Sequence, residues 1–139
     1  MVTIVIPCYN VAKYIKRCID SLVGQSFQKF KVILVDDKST DDTYQYLLQL
    51  QATSGLDIMV LQNSCNSGPA VSRNNGILKA DTKYITFCDS DDWYEPDFLK
   101  TMVTVLTIGA AACGAGTILG ATSILPDWVA TDLFQLRST

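Results

Sequence analysis

Four short apolar runs punctuate the chain: Val2 to Pro7 (VTIVIP), Lys31 to Asp36 (KVILVD), Leu56 to Leu61 (LDIMVL) and Tyr84 to Cys88 (YITFC). They alternate too little between apolar and polar positions for a sheet with one wet face, so they predict strands buried on both sides. Between them the period changes to that of helices. Ile15, Cys18, Ile19, Leu22 and Val23 fall at i, i+3, i+4, i+7 and i+8, one stripe of an amphipathic helix. Tyr44, Leu47 and Leu48 mark a second helix, with Ser39 and Thr40 as cap candidates, Asp41 and Asp42 in the first turn and an end near Gly55. A third begins within NSGPAVSRNNGILKA, with Pro69 in its first turn and Ala70, Val71, Asn74 and Leu78 on one side. Glu95, Pro96 and Asp97 open a fourth, whose buried stripe is Phe98, Leu99, Met102, Val103 and Leu106.

The order βαβαβαβα predicts an α/β fold: an open, mostly parallel sheet with right-handed crossovers and helices on both faces. Such sheets bind ligands at the carboxyl ends of their strands. The polar clusters of this chain sit there: CYN after the first strand, DDKSTDD after the second, NSCNSG after the third and DSDD after the fourth. All four are expected to converge on one edge, which becomes the candidate site.

Composition narrows the chemistry. The chain has 139 residues, enough for one domain, and a net charge of −3, which leaves no basic stripe to displace the counterions of nucleic acid. The five cysteines are odd in number, widely spaced and without a CxxC pair, which predicts reduced thiols acting as small hydrophobes. There is no histidine, so any acid–base or metal chemistry falls to carboxylates. The chain opens on MVTIVIP, which lacks the basic and apolar regions of a secretory signal and suggests a cytoplasmic protein. Beyond Lys100 only Asp127, Asp132 and Arg137 carry charge. The uncharged stretch from Thr101 to Pro126 is read either as a weak membrane-spanning candidate or as a buried strand and turn.

The acids themselves need explaining. Two like charges about 4 Å apart repel by roughly 4 kcal/mol at an effective dielectric of about 20, so Asp89, Asp91 and Asp92 need a compensating cation, donors or solvent. One reading is a solvated turn leading into a helix N-terminus. The other is a hard-cation site for Mg2+ or Mn2+, bridging to a substrate diphosphate. In VDDKSTDDT, Asp41 and Asp42 suit a helix start, whereas Asp36 and Asp37 precede it and can accept hydrogen bonds from a ribose hydroxyl or a base N–H. No G-x-G-x-x-G follows the first strand and no P-loop occurs anywhere. Tyr9 can lie against a nucleobase or simply pack. Arg73 can pair with an acid of this edge or reach a diphosphate.

Together, TIVIPCYNVAKYIKRCIDSLVGQSF (3–27), KVILVDDKSTDDT (31–43), NSGPAVSRNNGI (66–77) and YITFCDSDDWYEPDFL (84–99) resemble the nucleotide-binding part of a family 2 glycosyltransferase with the GT-A fold. The resemblance covers roughly the first 105 residues, which implies a nucleotide-sugar-binding domain over 1–105 and a divergent or truncated tail over 106–139. It implies that Pro7 and Tyr9 wrap the nucleobase, that Asp37 with Asp36 reads the uracil or ribose, and that Arg73 lies near the base or diphosphate. Asp89, Ser90 and Asp91 match the family's D-x-D signature, with Asp91 on the metal, Asp89 toward the ribose and Asp92 assisting either. The implied donor is a UDP-linked sugar with Mn2+ or Mg2+. The implied acceptor is a saccharide or lipid-linked molecule of surface polysaccharide or cell-envelope synthesis, met at the inner face of the membrane. Inverting transfer also needs a general base, normally in the half after the D-x-D segment, and neither Asp127 nor Asp132 stands in a context that identifies it. The alternative is therefore a non-catalytic module that binds a sugar nucleotide or a partner protein. A nucleotidyltransferase ranks last, because PCYNVAKY offers no Gly-rich phosphate loop. An apolar tail with few charges also predicts a homodimer or poor solubility.

Overall fold

A computed structural model describes residues 1–112 and 135–136. The strands are β1 (Val2–Cys8), β2 (Phe30–Asp36), β3 (Ile58–Gln62), β4 (Tyr84–Phe87) and β5 (Gln135–Leu136). The helices are α1 (Ile15–Val23), α2 (Thr43–Thr53), α3 (Pro69–Lys79) and α4 (Phe98–Ala112). Among the described residues the sheet order is β3-β2-β1-β4-β5, with β1 to β4 parallel and β5 antiparallel to β4. The open, mostly parallel α/β sheet is as expected.

Strand alternation divides the core in two. Ile4 and Ile6 of β1 and Val32 and Leu34 of β2 face α1, α2 and α4, meeting Ile15, Ile19, Leu22, Leu47 and Leu99. Val5, Ile33, Val35 and Ile85 face the other way, toward Ala80 and the partly buried Ile77 at the end of α3. Both faces being apolar is what makes these strands read as nearly unbroken hydrophobic runs. The chain leaves β1 for β2 on one side and returns to its other side as β4, so the order reverses between β1 and β4. Ligand crevices of open sheets form at such a reversal.

Three expectations shift. The stripe of α3 is inverted: Ala70, Val71, Asn74 and Leu78 are exposed, and Ser72 and Gly76 are buried against the sheet. Gly76 lies so close to β1 that an added Cβ would stand 2.3 Å from Val5 Cγ1, so this contact selects small residues over apolar ones. Helix α2 starts at Thr43, because Ser39 and Thr40 are drawn off to Asn10, and the Thr43 N–H is taken by Asp41 Oδ1 at 2.9 Å. Helix α4 continues through Ala112, past the expected boundary at residue 105, so the start of the uncharged stretch is helical. Its predicted face holds, with Leu99 and Leu106 buried and Phe98, Met102 and Val103 half-buried. No described helix is long and apolar enough to cross a membrane. Cys113, Asp127 and Asp132 lie outside the described residues.

The close approach at Gly76 makes a directional prediction. In an ordinary exposed helix position Gly→Ala stabilises by about 1 kcal/mol. Here Gly76→Ala is expected to destabilise by about 1–3 kcal/mol, since Val5 must be displaced within a packed core. Urea unfolding of the two proteins measures it, and a stabilised variant would refute the close contact.

Candidate functional site

The four strand-end clusters do meet. A cavity of about 420 Å³ opens at the carboxyl edge of the sheet beside the β1/β4 reversal. Its lining includes Pro7, Tyr9, Asp37, Arg73, Asp89, Ser90 and Asp91. That volume lies within the range of small-molecule sites, about 300–1,000 Å³. Cys8, Asn66, Gly68, Pro69 and Ser72 complete the wall.

Asp36 and Asp92 are not among the lining residues. Adjacent residues at a strand end point in opposite directions, which separates Asp36 from Asp37. Asp36 is fully buried and engaged within the protein, accepting from the Ser39 hydroxyl and from Gln62 Nε2 at 2.9 Å. It shapes the loop after β2 and is not presented to a nucleotide. Asp92 is exposed, and its N–H closes a turn on the Asp89 carbonyl at 3.0 Å.

Asp37 is almost fully buried, yet every group around it donates. Asn63 Nδ2 reaches Oδ1 at 2.7 Å, the Ser67 N–H reaches Oδ1 at 2.9 Å, and the Gly68 N–H reaches Oδ2 at 2.7 Å. Burial alone raises the pKa of a carboxyl. The Ser67 N–H, the Asn63 amide, the Gly68 N–H and the Ser72 hydroxyl outweigh burial and hold Asp37 below the ordinary carboxylate range. Gly68, at φ +87°, adopts a left-handed conformation that costs glycine little and turns its N–H onto the acid just before Pro69 starts α3.

On the opposite wall, Arg73 Nη2 pairs with Asp89 Oδ1 at 2.6 Å. This is the cation that the crowded acids required. Asp91 and Asp92 are left in solvent on the turn, where water screens their repulsion. Ser90, between Asp89 and Asp91, is buried. The thiol of Cys8 is pushed well up by burial first and by Asp36 second, which favours the neutral S–H. Behind it, Cys18 and Cys88 are free buried thiols with sulfurs 3.8 Å apart, while Cys65 is exposed.

The acid turn is held from α1 and the turn just after it. Arg17 stacks its guanidinium 3.4 Å from the Trp93 ring centroid. Ser21 Oγ accepts the Tyr94 N–H at 3.1 Å, and buried Gln25 donates to the Glu95 carbonyl at 2.7 Å while accepting the Leu99 N–H at 3.1 Å. These positions repeat every four residues, a polar stripe beside the apolar one. Sequence reading passed over that stripe, and it passed over Asn63, whose partners come from distant segments; the i, i+4, i+8 spacing was the available signal for the first.

Comparison with known proteins decides the family. The glycosyl transferase family 2 model matches residues 3–131. The chain belongs to glycosyl transferase family 2. Among relatives of this family 2 chain, the poly(ribitol-phosphate) beta-glucosyltransferase of Bacillus spizizenii is 38% identical over 120 residues, covering 78% of this chain and 18% of the relative. Glycosyltransferase GlyA of Streptococcus pneumoniae is 32% identical over 101 residues, covering 73% and 14% respectively. The crystal structure of S. aureus TarS 1-349 in complex with UDP-GlcNAc superposes with a TM-score of 0.72 at 33% identity, covering 78% of this chain and 31% of that one. This chain thus spans well under half the length of these relatives. The expected GT-A fold is the one that the TarS neighbours share.

The Asp37 geometry of this family 2 domain carries a pH dependence. A depressed folded pKa means that the acid stabilises the fold above its unfolded pKa, near 3.9, and that this contribution is lost as pH falls through the folded value. Asp37→Asn is expected to cost about 1–3 kcal/mol at neutral pH, because an amide N–H2 then confronts donors. It is also expected to flatten the loss of stability between about pH 5 and pH 2. Equal acid slopes for the two proteins in urea unfolding would exclude this role.

Proposed function

We propose that this chain carries the donor-binding machinery of a metal-dependent, inverting glycosyltransferase that takes a sugar from a UDP-linked donor. The observation that carries the reading is the convergence of Pro7, Tyr9, Asp37, Arg73, Asp89 and Asp91 on one cavity at the β1/β4 reversal. The acceptor class proposed is a saccharide or lipid-linked molecule of surface polysaccharide synthesis, supported by relatives named for poly(ribitol-phosphate) glycosylation.

Pro7 and Tyr9, at the end of β1, supply an apolar and aromatic wall suited to a nucleobase. Asp37 can only accept, and so it faces a donor on the base or ribose. Arg73 sits where a diphosphate meets the acids. Its ion pair with Asp89 is partly exposed and contributes at most about 1 kcal/mol, so exchanging the carboxylate for a phosphate oxygen costs little.

The residues also suit a divalent ion. Among the described residues no three His, Cys, Asp or Glu side chains gather to hold a metal ion unaided. Asp89 and Asp91 line one cavity and offer hard oxygen donors, the one or two carboxylates that Mg2+ takes from a protein when substrate phosphates and water complete its shell. Asp91, which has no cation partner among the described residues, is the principal candidate and Asp89 the second. When bound, such an ion neutralises charge on the departing diphosphate. Arg73 lends charge to the same oxygens, and the buried Ser90 and the α1 stripe keep the two acids at fixed positions on the turn.

The acids lining the cavity are thereby engaged, Asp37 with its donors and Asp89 and Asp91 with the diphosphate side. No described residue is assigned as the general base. That inventory also supports a second reading, a module that binds the donor without turning it over.

Calorimetric titration of UDP with and without Mn2+ tests the proposal. Wild-type protein is expected to bind UDP more tightly with Mn2+, and Asp91→Asn to lose that enhancement by about tenfold or more, the scale of one charge-assisted contact. Binding that ignores both the metal and the substitution would sink the donor-site reading. Metal-dependent binding without sugar transfer or donor hydrolysis would favour the non-catalytic module.

A further inference from the structure

The third strand-end cluster contains a relay that the donor site has not yet used. Asn63, just beyond β3, is buried and fully engaged. Its Nδ2 donates to Asp37 Oδ1 at 2.7 Å and to Ser72 Oγ at 2.9 Å, and its Oδ1 accepts from Asn75 Nδ2 at 2.8 Å. Its backbone N–H donates to the Asp36 carbonyl at 2.8 Å. The orientation of the amide follows from chemistry: an ionised Asp37 can only accept, so Asn63 must turn its N–H2 toward it and its carbonyl toward Asn75.

We propose that Asn63, held from α3 by Asn75, is a specificity-positioning residue: it fixes Asp37 as a charged, acceptor-only reader, so that the cavity selects nucleobases presenting a ring N–H. This rests on the nucleotide-sugar reading above and adds the residues that enforce the choice of base. With the Asn63 amide, the Ser67 N–H and the Gly68 N–H all pointing at Asp37, a protonated and therefore donating form of the acid is excluded. A ring nitrogen bearing hydrogen then finds a lone-pair site of Asp37 that these three donors leave open, whereas a bare nitrogen sets its own lone pair, and an alkylated one a methyl group, against the buried carboxylate, a mismatch that discriminates between ligands.

The test is calorimetric binding of UDP and N3-methyl-UDP in the presence of Mn2+. Wild-type protein is expected to prefer UDP by about tenfold or more, the scale of a lost hydrogen bond to a charged group. Asn63→Asp, which replaces the donor by an acceptor, is expected to weaken UDP and shrink the preference to about threefold or less, leaving N3-methyl-UDP nearly unaffected. Asn75→Asp supplies a second route at a half-buried helical position that leaves Asn63 in place. Its carboxylate draws the Asn63 N–H2 away from Asp37, and it is expected to erode the same preference. A merely structural role would lower the affinity for both nucleotides equally. Wild-type binding that tolerates N3-methylation, or folded variants of both kinds that keep the full preference, would overturn the assignment. Failure of wild-type protein to bind either nucleotide would instead remove the nucleotide reading on which it rests.

Discussion

A carboxylate buried with no cation partner among the described residues ties the cavity edge of this molecule together. Asp37 follows β2, and its partners come from the loop after β3 and the turn that starts α3. Burying a charge is tolerated only where hydrogen bonds replace the water it loses, and here backbone and amide donors supply them. The cost is offset by order: the same acid that waits in the cavity also fixes where α3 begins. Through α3 it fixes Arg73, one turn further on, and through Arg73 it reaches Asp89 on the far wall. Cavity-lining groups and fold-determining groups are therefore partly the same atoms.

The opposite wall follows a different electrostatic logic. The turn from Asp89 to Asp92 keeps its charges in solvent and, among the described residues, lends Asp89 alone to an ion pair, so little folding energy is committed there. Rigidity comes instead from α1 and the turn that follows it, where Arg17, Ser21 and Gln25 grip Trp93, Tyr94, Glu95 and Leu99 through stacking and backbone hydrogen bonds. Asn10, at φ 53°, plays a similar part for the first two loops, its side chain accepting the Thr40 N–H at 2.9 Å.

Periodicity alone recovers the four parallel strands, the four helices and the edge on which the polar clusters meet, because buried strands and amphipathic helices each impose a repeat on the chain. The motif residues Tyr9, Asp37, Asp89, Ser90 and Asp91 are legible for the same reason, each following a strand whose end the pattern marks, while Pro7 lies within the first run and Arg73 one turn into the helix that Pro69 opens. The inverted face of α3 was not legible. Hydrophobicity indicates what prefers to leave water, whereas the contact with Val5 is decided by what is small enough to fit, and Gly76 carries no apolar signal.

Tertiary structure alone separated neighbours that look alike. Asp36 and Asp37 are adjacent and chemically identical, yet one is consumed by Ser39 and Gln62 while the other lines the cavity. Asp91 and Asp92 divide similarly, one lining the cavity and one on the outside of the turn. Asn63 gained a role only when residues far along the chain closed around it. A sequence records which groups lie at a strand's end. Which of them stays charged, which is satisfied within the protein and which is left for a ligand depends on donors contributed from other segments, and those meet only in the folded chain.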